Sequence, residues 1–129
     1  MAAILGRIVQ VSVNVKDMAR ARAFYRDRLG FRHLFDAGPG LSFFDCEGVR
    51  LMLAIAEKPE FDHPGSILYF KVDDIEAAHR ELTGRGVVFA EAPRRVAKMP
   101  GHDLWMAFLR DSEGNPIALS CELPPAAAA

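Results

Sequence analysis

At 129 residues, half of them hydrophobic, the chain has the length of one domain and enough apolar mass for an ordinary core. Its 16 basic and 17 acidic residues leave a net charge of −1, which argues against nucleic acid or an anionic membrane held by net electrostatics; a small molecule or another protein is the expected partner. The opening MAAILGRIVQ has too short an apolar run for a signal peptide, and no stretch approaches the roughly 18 apolar residues of a membrane span, so a cytoplasmic protein is expected.

In chain order, RIVQVSVNV at residues 7 to 15 alternates Val9, Val11, Val13 and Val15 with Gln10, Ser12 and Asn14, the pattern of a strand with one β-branched face. Asp17 is an expected helix N-cap, Met18, Ala21, Phe24, Tyr25 and Leu29 follow at helical spacing, and Gly30 ends the helix. Three extended runs come next: FRHLF at 31 to 35, LSFFDC at 41 to 46 and VRLMLAI at 49 to 55, the last two joined by a turn at Glu47 and Gly48. AEKPEFDHPG then has the composition of a linker.

After it the order restarts. SILYFKV at 66 to 72 reads as a strand, Asp74 as an N-cap, and Ile75, Ala78 and Leu82 as the inner face of a helix stopped by Gly84 and Gly86. VVFAE begins another strand, and DLWMAFLRD and NPIALSCE form a hairpin across Ser112, Glu113 and Gly114. Between them EAPRRVAKMPGH is expected to be a longer loop; its Arg94, Arg95 and Lys98 read as a solvated edge strand or as a cationic lip for an acidic ligand. Cys46 and Cys121 are too few for a disulfide framework or a zinc signature and are expected reduced and buried. The tail from residue 123, PPAAAA included, is expected to be disordered.

The second half repeats the first. Val15, Asp17, Met18 and Ala21 match Val72, Asp74, Ile75 and Ala78 at a separation of 57, while Gly48, Leu51 and Leu53 match Gly114, Ile117 and Leu119 at 66. The expected fold is therefore α+β, one domain over 1–122 built of two βαβββ modules: about 6–56, a linker at 57–65, and about 66–122. Each helix must cover the apolar face of its own sheet, which takes Val9, Val11, Val13 and Leu68, Phe70, Val72. Left on the opposite faces are Gln10, Ser12 and Asn14, their counterparts Ile67, Tyr69 and Lys71, and from the fourth strands Arg50, Met52, Ala54, Pro116, Ala118 and Ser120. Two such curved sheets facing one another would make a cup with a mixed lining.

VNVKDMARARAFYRDRLGF, FKVDDIEAAHRELTGRGVVF and AFLRDSEGNPIAL, in that order and duplicated, resemble the vicinal oxygen chelate superfamily, which includes glyoxalase I, bleomycin-resistance proteins, extradiol dioxygenases and methylmalonyl-CoA epimerase. The resemblance spans about residues 6 to 122 and implies a homodimer. In metal-using members the ion is held in the cup by side chains of the first and fourth strands, and matching the motifs puts those positions at Gln10, Met52, Ile67 and Ala118. Gln10 offers a hard oxygen, Met52 only a soft thioether, and Ile67 and Ala118 nothing. No cofactor is therefore expected, and the nearest analogy is to the metal-free binders similar to bleomycin-resistance proteins.

The leading expectation is a protein binding a small organic molecule, with Gln10, Ser12, Arg50, Met52, Ile67, Tyr69, His102, Trp105, Ala118 and Ser120 as contact candidates. Tyr69, Lys71 and Arg50 suit an anionic or phenolic ligand, or else reach out to water. Trp105 with Phe43 or Phe44 would stack on a planar ligand, or belong to core or interface. The alternative is a lyase, isomerase or dioxygenase of the same superfamily, with a divalent metal on non-standard ligands such as Asp62, His63, His102 and Asp103, or with acid–base work by His102, Tyr69 or Lys71. A third reading is a structural dimer without ligand. His33 and His79 read as structural.

Overall fold

The computed structural model describes Ile4 and residues 6–125. The chain forms two compact units that meet in sequence between Gly65 and Ser66, at the end of the linker. The first unit runs β1 (Gln10–Asn14), α1 (Met18–Ala23) continued by a π-helical turn (Phe24–Arg28), β2 (Arg32–Asp36), β3 (Leu41–Cys46) and β4 (Val49–Ala54), then a 3-10 turn (Pro59–Phe61). The second runs β5 (Leu68–Lys71), α2 (Ile75–Gly84), β6 (Phe89–Met99), β7 (His102–Arg110) and β8 (Pro116–Leu123). Each unit holds one four-stranded sheet, ordered β1-β4-β3-β2 and β5-β8-β7-β6. The first and fourth strands pair in parallel, and the other neighbours are antiparallel. These are the two βαβββ modules of the α+β fold.

Both helices start where an aspartate can satisfy a first-turn amide. Asp17 accepts from the Arg20 N–H at 3.1 Å and Asp74 from the Ala77 N–H at 3.0 Å. The apolar stripe that follows covers one sheet face. In the first unit Tyr25 packs on Phe44 with ring centroids 6.1 Å apart, beside buried Leu51 and Leu53. In the second, Ile75, Leu109, Ile117, Leu119 and Cys121 are buried, and His79 meets Phe89 edge-on at 4.5 Å. His33 packs on Phe44 at 5.2 Å and lies 2.9 Å from Asp36.

The strand register repeats between the units. Val11 lies opposite Leu51 and Val13 opposite Leu53; Leu68 lies opposite Ile117 and Phe70 opposite Leu119. The first partner of each pair moves by 57 and the second by 66, so both sequence separations hold in one ladder.

The stretch expected as a loop is strand. β6 continues through Met99, taking in Glu91, Arg94, Arg95 and Lys98, and pairs with β7. Pro93 is tolerated because β6 is a sheet edge, and its ladder slips between Glu91 and Arg94 and again between Arg95 and Ala97. The extra length of the second module thus lies in a hairpin whose arms are 11 and 9 residues, against 5 and 6 for β2 and β3. β8 includes Leu123, and residues 126–129 of the tail lie outside the described residues. Both cysteines are free; Cys121 is buried, whereas Cys46 is half-buried, and burial pushes its thiol up.

The Asp74 cap gives a direct check on helix energetics. Asp74→Ala is expected to lower unfolding free energy by about 1 kcal/mol, read as a fall in the urea midpoint with an unchanged slope. A change under about 0.3 kcal/mol would mean that packing alone sets the start of α2.

Candidate functional site: the open sheet faces

Residues directly opposite in a sheet share a face, so the pairings sort each open face into rows. In the first unit one row runs Gln10, Arg50, Asp45, Arg32, and the next Ser12, Met52, Phe43, Phe35. The Arg50 Nε donates to Gln10 Oε1 at 3.0 Å, and the Gln10 Nε2 points to Met52 Sδ at 3.6 Å. Arg32 and Asp45 approach to 3.7 Å and balance one another. Arg50 is then the uncompensated charge of its row.

The second row is aromatic at its outer end. Phe35 stacks on Phe43 with centroids 4.6 Å apart and planes inclined by 23°. Phe43 is 9% exposed and Phe35 49%, so the outer ring keeps much of its surface in water. Phe44 points the other way, into the helix-covered core, which decides for Phe43 as the stacking candidate. Sequence reasoning passed over Phe35. A regular strand would put it on the same face as His33, but the ladder shifts between His33 and Phe35, so that His33 opposes Phe44 and Phe35 opposes Phe43.

In the second unit the rows are Tyr69, Ala118, Phe108 and Lys71, Ser120, Met106. Tyr69 and Phe108 flank Ala118 from opposite sides, and their rings meet edge-to-face at 6.3 Å. Ala118 is fully buried between their strands while Tyr69 is 53% exposed. The smallness of Ala118 is what lets the two rings lean together. Lys71 reaches out beside Asp73 at 3.7 Å, both highly exposed, and Ile67 just precedes β5 and is 42% exposed.

Several expected groupings do not form. Trp105 lies opposite Cys121 and Arg95, on the face shared with buried Ala107 and Leu109, so it is turned to the helix side and away from Ala118. His102 and Asp103 are consecutive on β7 and point to opposite faces; His102 is 3.7 Å from Glu122, and Asp103, nearly buried, is 3.8 Å from Arg95. They cannot grip one ion together. His63 holds its Nδ1 at 3.1 Å from the Pro64 carbonyl, and the Asn14 amide donates to the carbonyls of Phe61 and His63 at 2.6 and 2.9 Å. His102 and Phe108, the neighbour of Tyr69, stand near opposite ends of β7, roughly 20 Å apart at the rise of an extended strand, too far for joint proton transfer. Among the described residues no three His, Cys, Asp or Glu side chains converge as a metal site, and no helix is long and apolar enough to cross a membrane.

The sequence profile of the Glyoxalase/Bleomycin resistance protein/Dioxygenase superfamily matches residues 7–119. The chain belongs to this superfamily. Among solved structures, TnmS3, an antibiotic binding protein from Streptomyces sp. CB03234, is 26% identical with a TM-score of 0.71, covering 94% of this chain and 99% of its own. UcmS2 is also 26% identical, with a TM-score of 0.72 and coverage of 91% and 98%. A lactoylglutathione lyase from Agrobacterium tumefaciens shares the fold at 20% identity, TM-score 0.72, covering 91% and 94%. No curated protein sequence matches the chain.

The four positions that the sequence resemblance matches to metal ligands, Gln10, Met52, Ile67 and Ala118, offer a donor set that does not fit a divalent ion. The carbonyl oxygen of Gln10 is taken by the Arg50 guanidinium, whose positive charge opposes a cation there; Met52 is a soft donor, and Ile67 and Ala118 have none. Restoring a carboxylate at one of them is expected to harm the fold instead of creating a site. Ala118→Glu must part Tyr69 from Phe108 and bury a charge, costing about 2 kcal/mol or more by thermal or urea unfolding. A loss below about 0.5 kcal/mol would show that the rings do not depend on the small residue.

Proposed function

We propose that this chain is a metal-independent small-molecule binding protein of the superfamily, taking an organic ligand on the polar and aromatic faces its helices leave uncovered. The observation that carries the reading is the 3.0 Å contact of Arg50 with Gln10. It commits the one hard oxygen among the metal positions to a fixed guanidinium, and so replaces a metal's charge with one built into the chain. Elsewhere on the same face an exposed aromatic ring and a thioether offer apolar contact surface. Likeness at 26% identity to a protein described as antibiotic binding supports the same direction.

The protein acts in this reading as a homodimer in the cytoplasm. Two free cysteines suit a reducing compartment, and exposed Ile8 and Val88, 70% and 80% accessible, suit burial against a second copy.

Thermal-shift screening of chelator-treated protein against aromatic, aliphatic, cationic and peptide-type metabolites tests the proposal. At least one compound is expected to raise Tm saturably, by the equivalent of about 2.7 kcal/mol at a hundredfold excess over Kd, with the same shift before and after chelation. Stoichiometric iron, nickel or zinc in protein purified without chelator, whose removal abolished the ligand shift, would overturn it.

A further inference from the structure

We infer that the Asp36 carboxylate selects the register of β2, and thereby decides that Phe35 and not Leu34 stands on the open face of the first unit. The inference goes beyond the binding reading, since it concerns what the face presents and is true with or without a ligand. β2 has two ways to pair with β3. In the observed one Leu34 is extra, Phe35 opposes Phe43 and Asp36 opposes Ser42. Continued without an extra residue from His33 opposite Phe44, the ladder would set Leu34 on Phe43, Phe35 against Ser42 and Asp36 against Leu41. The connecting loop contains Gly38, at a φ of 68°, and Gly40, so it can give up one residue to the shift.

Asp36 tells the two apart. Its Oδ1 accepts from the His33 Nε2 at 2.9 Å and lies 3.4 Å from the Arg22 Nε on α1. The Ser42 hydroxyl faces it from β3 and is wholly buried. Both the Ser42 Oγ and the Arg22 Nε are shut off from water and make no well-aligned hydrogen bond among the described residues, so the nearby carboxylate is what balances them. The Ser42 hydroxyl first and His33 next hold the Asp36 carboxyl below the usual carboxylate range, with burial opposing them. The regular register would carry this carboxylate to the open face and leave the two donors against the hydrocarbon of Phe35, the costly way to lose a polar partner.

The apolar contributions nearly cancel. Phe35, 49% exposed as observed, would gain burial in the regular register, and no residue would be left unpaired. It would lose its stack on Phe43, with centroids 4.6 Å apart, which Leu34 replaces only in part. With burial and ladder regularity on one side and the stack on the other, the polar latch of Arg22, His33 and Ser42 on Asp36 decides. Asp36 is thus a positioning residue: it lies on the covered face, yet it sets the aim of a ring on the other.

Nuclear magnetic resonance on the full chain tests this. Ring and methyl contacts report the register: Phe35 against Phe43 in the bulged form, Leu34 against Phe43 in the regular one, with the minor form read by chemical-exchange saturation transfer. Asp36→Ala is expected to shift the ratio of the two by about tenfold or more toward the regular register. Asp36→Asn keeps the shape and one acceptor oxygen and should move the ratio the same way by about threefold, which gives a reading even where the alanine variant does not fold. Deletion of Leu34 is the control. The ladder then has no extra residue, so Asp36→Ala in that background should lower stability without parting Phe35 from Phe43. A ratio that neither substitution changes overturns the inference. So does a Phe35 displaced by Asp36→Ala even when Leu34 is absent, which would make the carboxylate a general support of β2 and not the selector of its register.

Discussion

In each module a first and a fourth strand run parallel and in contact, although two further strands and a helix lie between them along the chain. A parallel pair cannot be closed by a tight turn, so the chain must cross over the sheet, and here it crosses as a helix whose apolar stripe needs cover. That requirement divides each sheet into a covered face and an uncovered one. The chemistry discussed above lies on the uncovered side because the crossover consumed the other.

The duplication makes the division visible residue by residue. On the helix side, paired positions in the two modules stay apolar: Val11 and Leu68, Val13 and Phe70, Leu51 and Ile117, Leu53 and Leu119. On the uncovered side the corresponding positions share nothing: Ser12 and Tyr69, Asn14 and Lys71, Met52 and Ala118. The same ladder tolerates this because a pleated face exposed to water asks little of its residues beyond strand compatibility. One face became polar with a stacked aromatic edge. The other drew Tyr69 and Phe108 together over an alanine and spent its aromatic surface on itself.

Much of this was legible in the sequence because periods of two and 3.6 and two fixed separations survive without coordinates. The helix caps, the strand order of the modules and the residues opposite the helices all followed from counting. What escaped counting was irregular. β6 carries a proline and three cations, which suit a loop as well as a solvated edge strand, and its place at a sheet edge explains both. The side taken by Trp105 follows from phase and not from size: counting back from Phe108, the partner of Ala118, puts it on the opposite face. Phe35 was hidden because strict alternation from His33 sends it into the core, and no local signal marks the slip.

That slip in β2 has an unusual consequence. With His33 opposite Phe44 and Phe35 opposite Phe43, the intervening Leu34 has no partner of its own. Removing Leu34 altogether would leave the two flanking side chains on their present faces in a regular ladder, at the cost of its half-buried side chain and of the local twist and bend that an extra residue gives an edge strand. Here the reading frame of the fold is one residue longer than the reading frame of its faces.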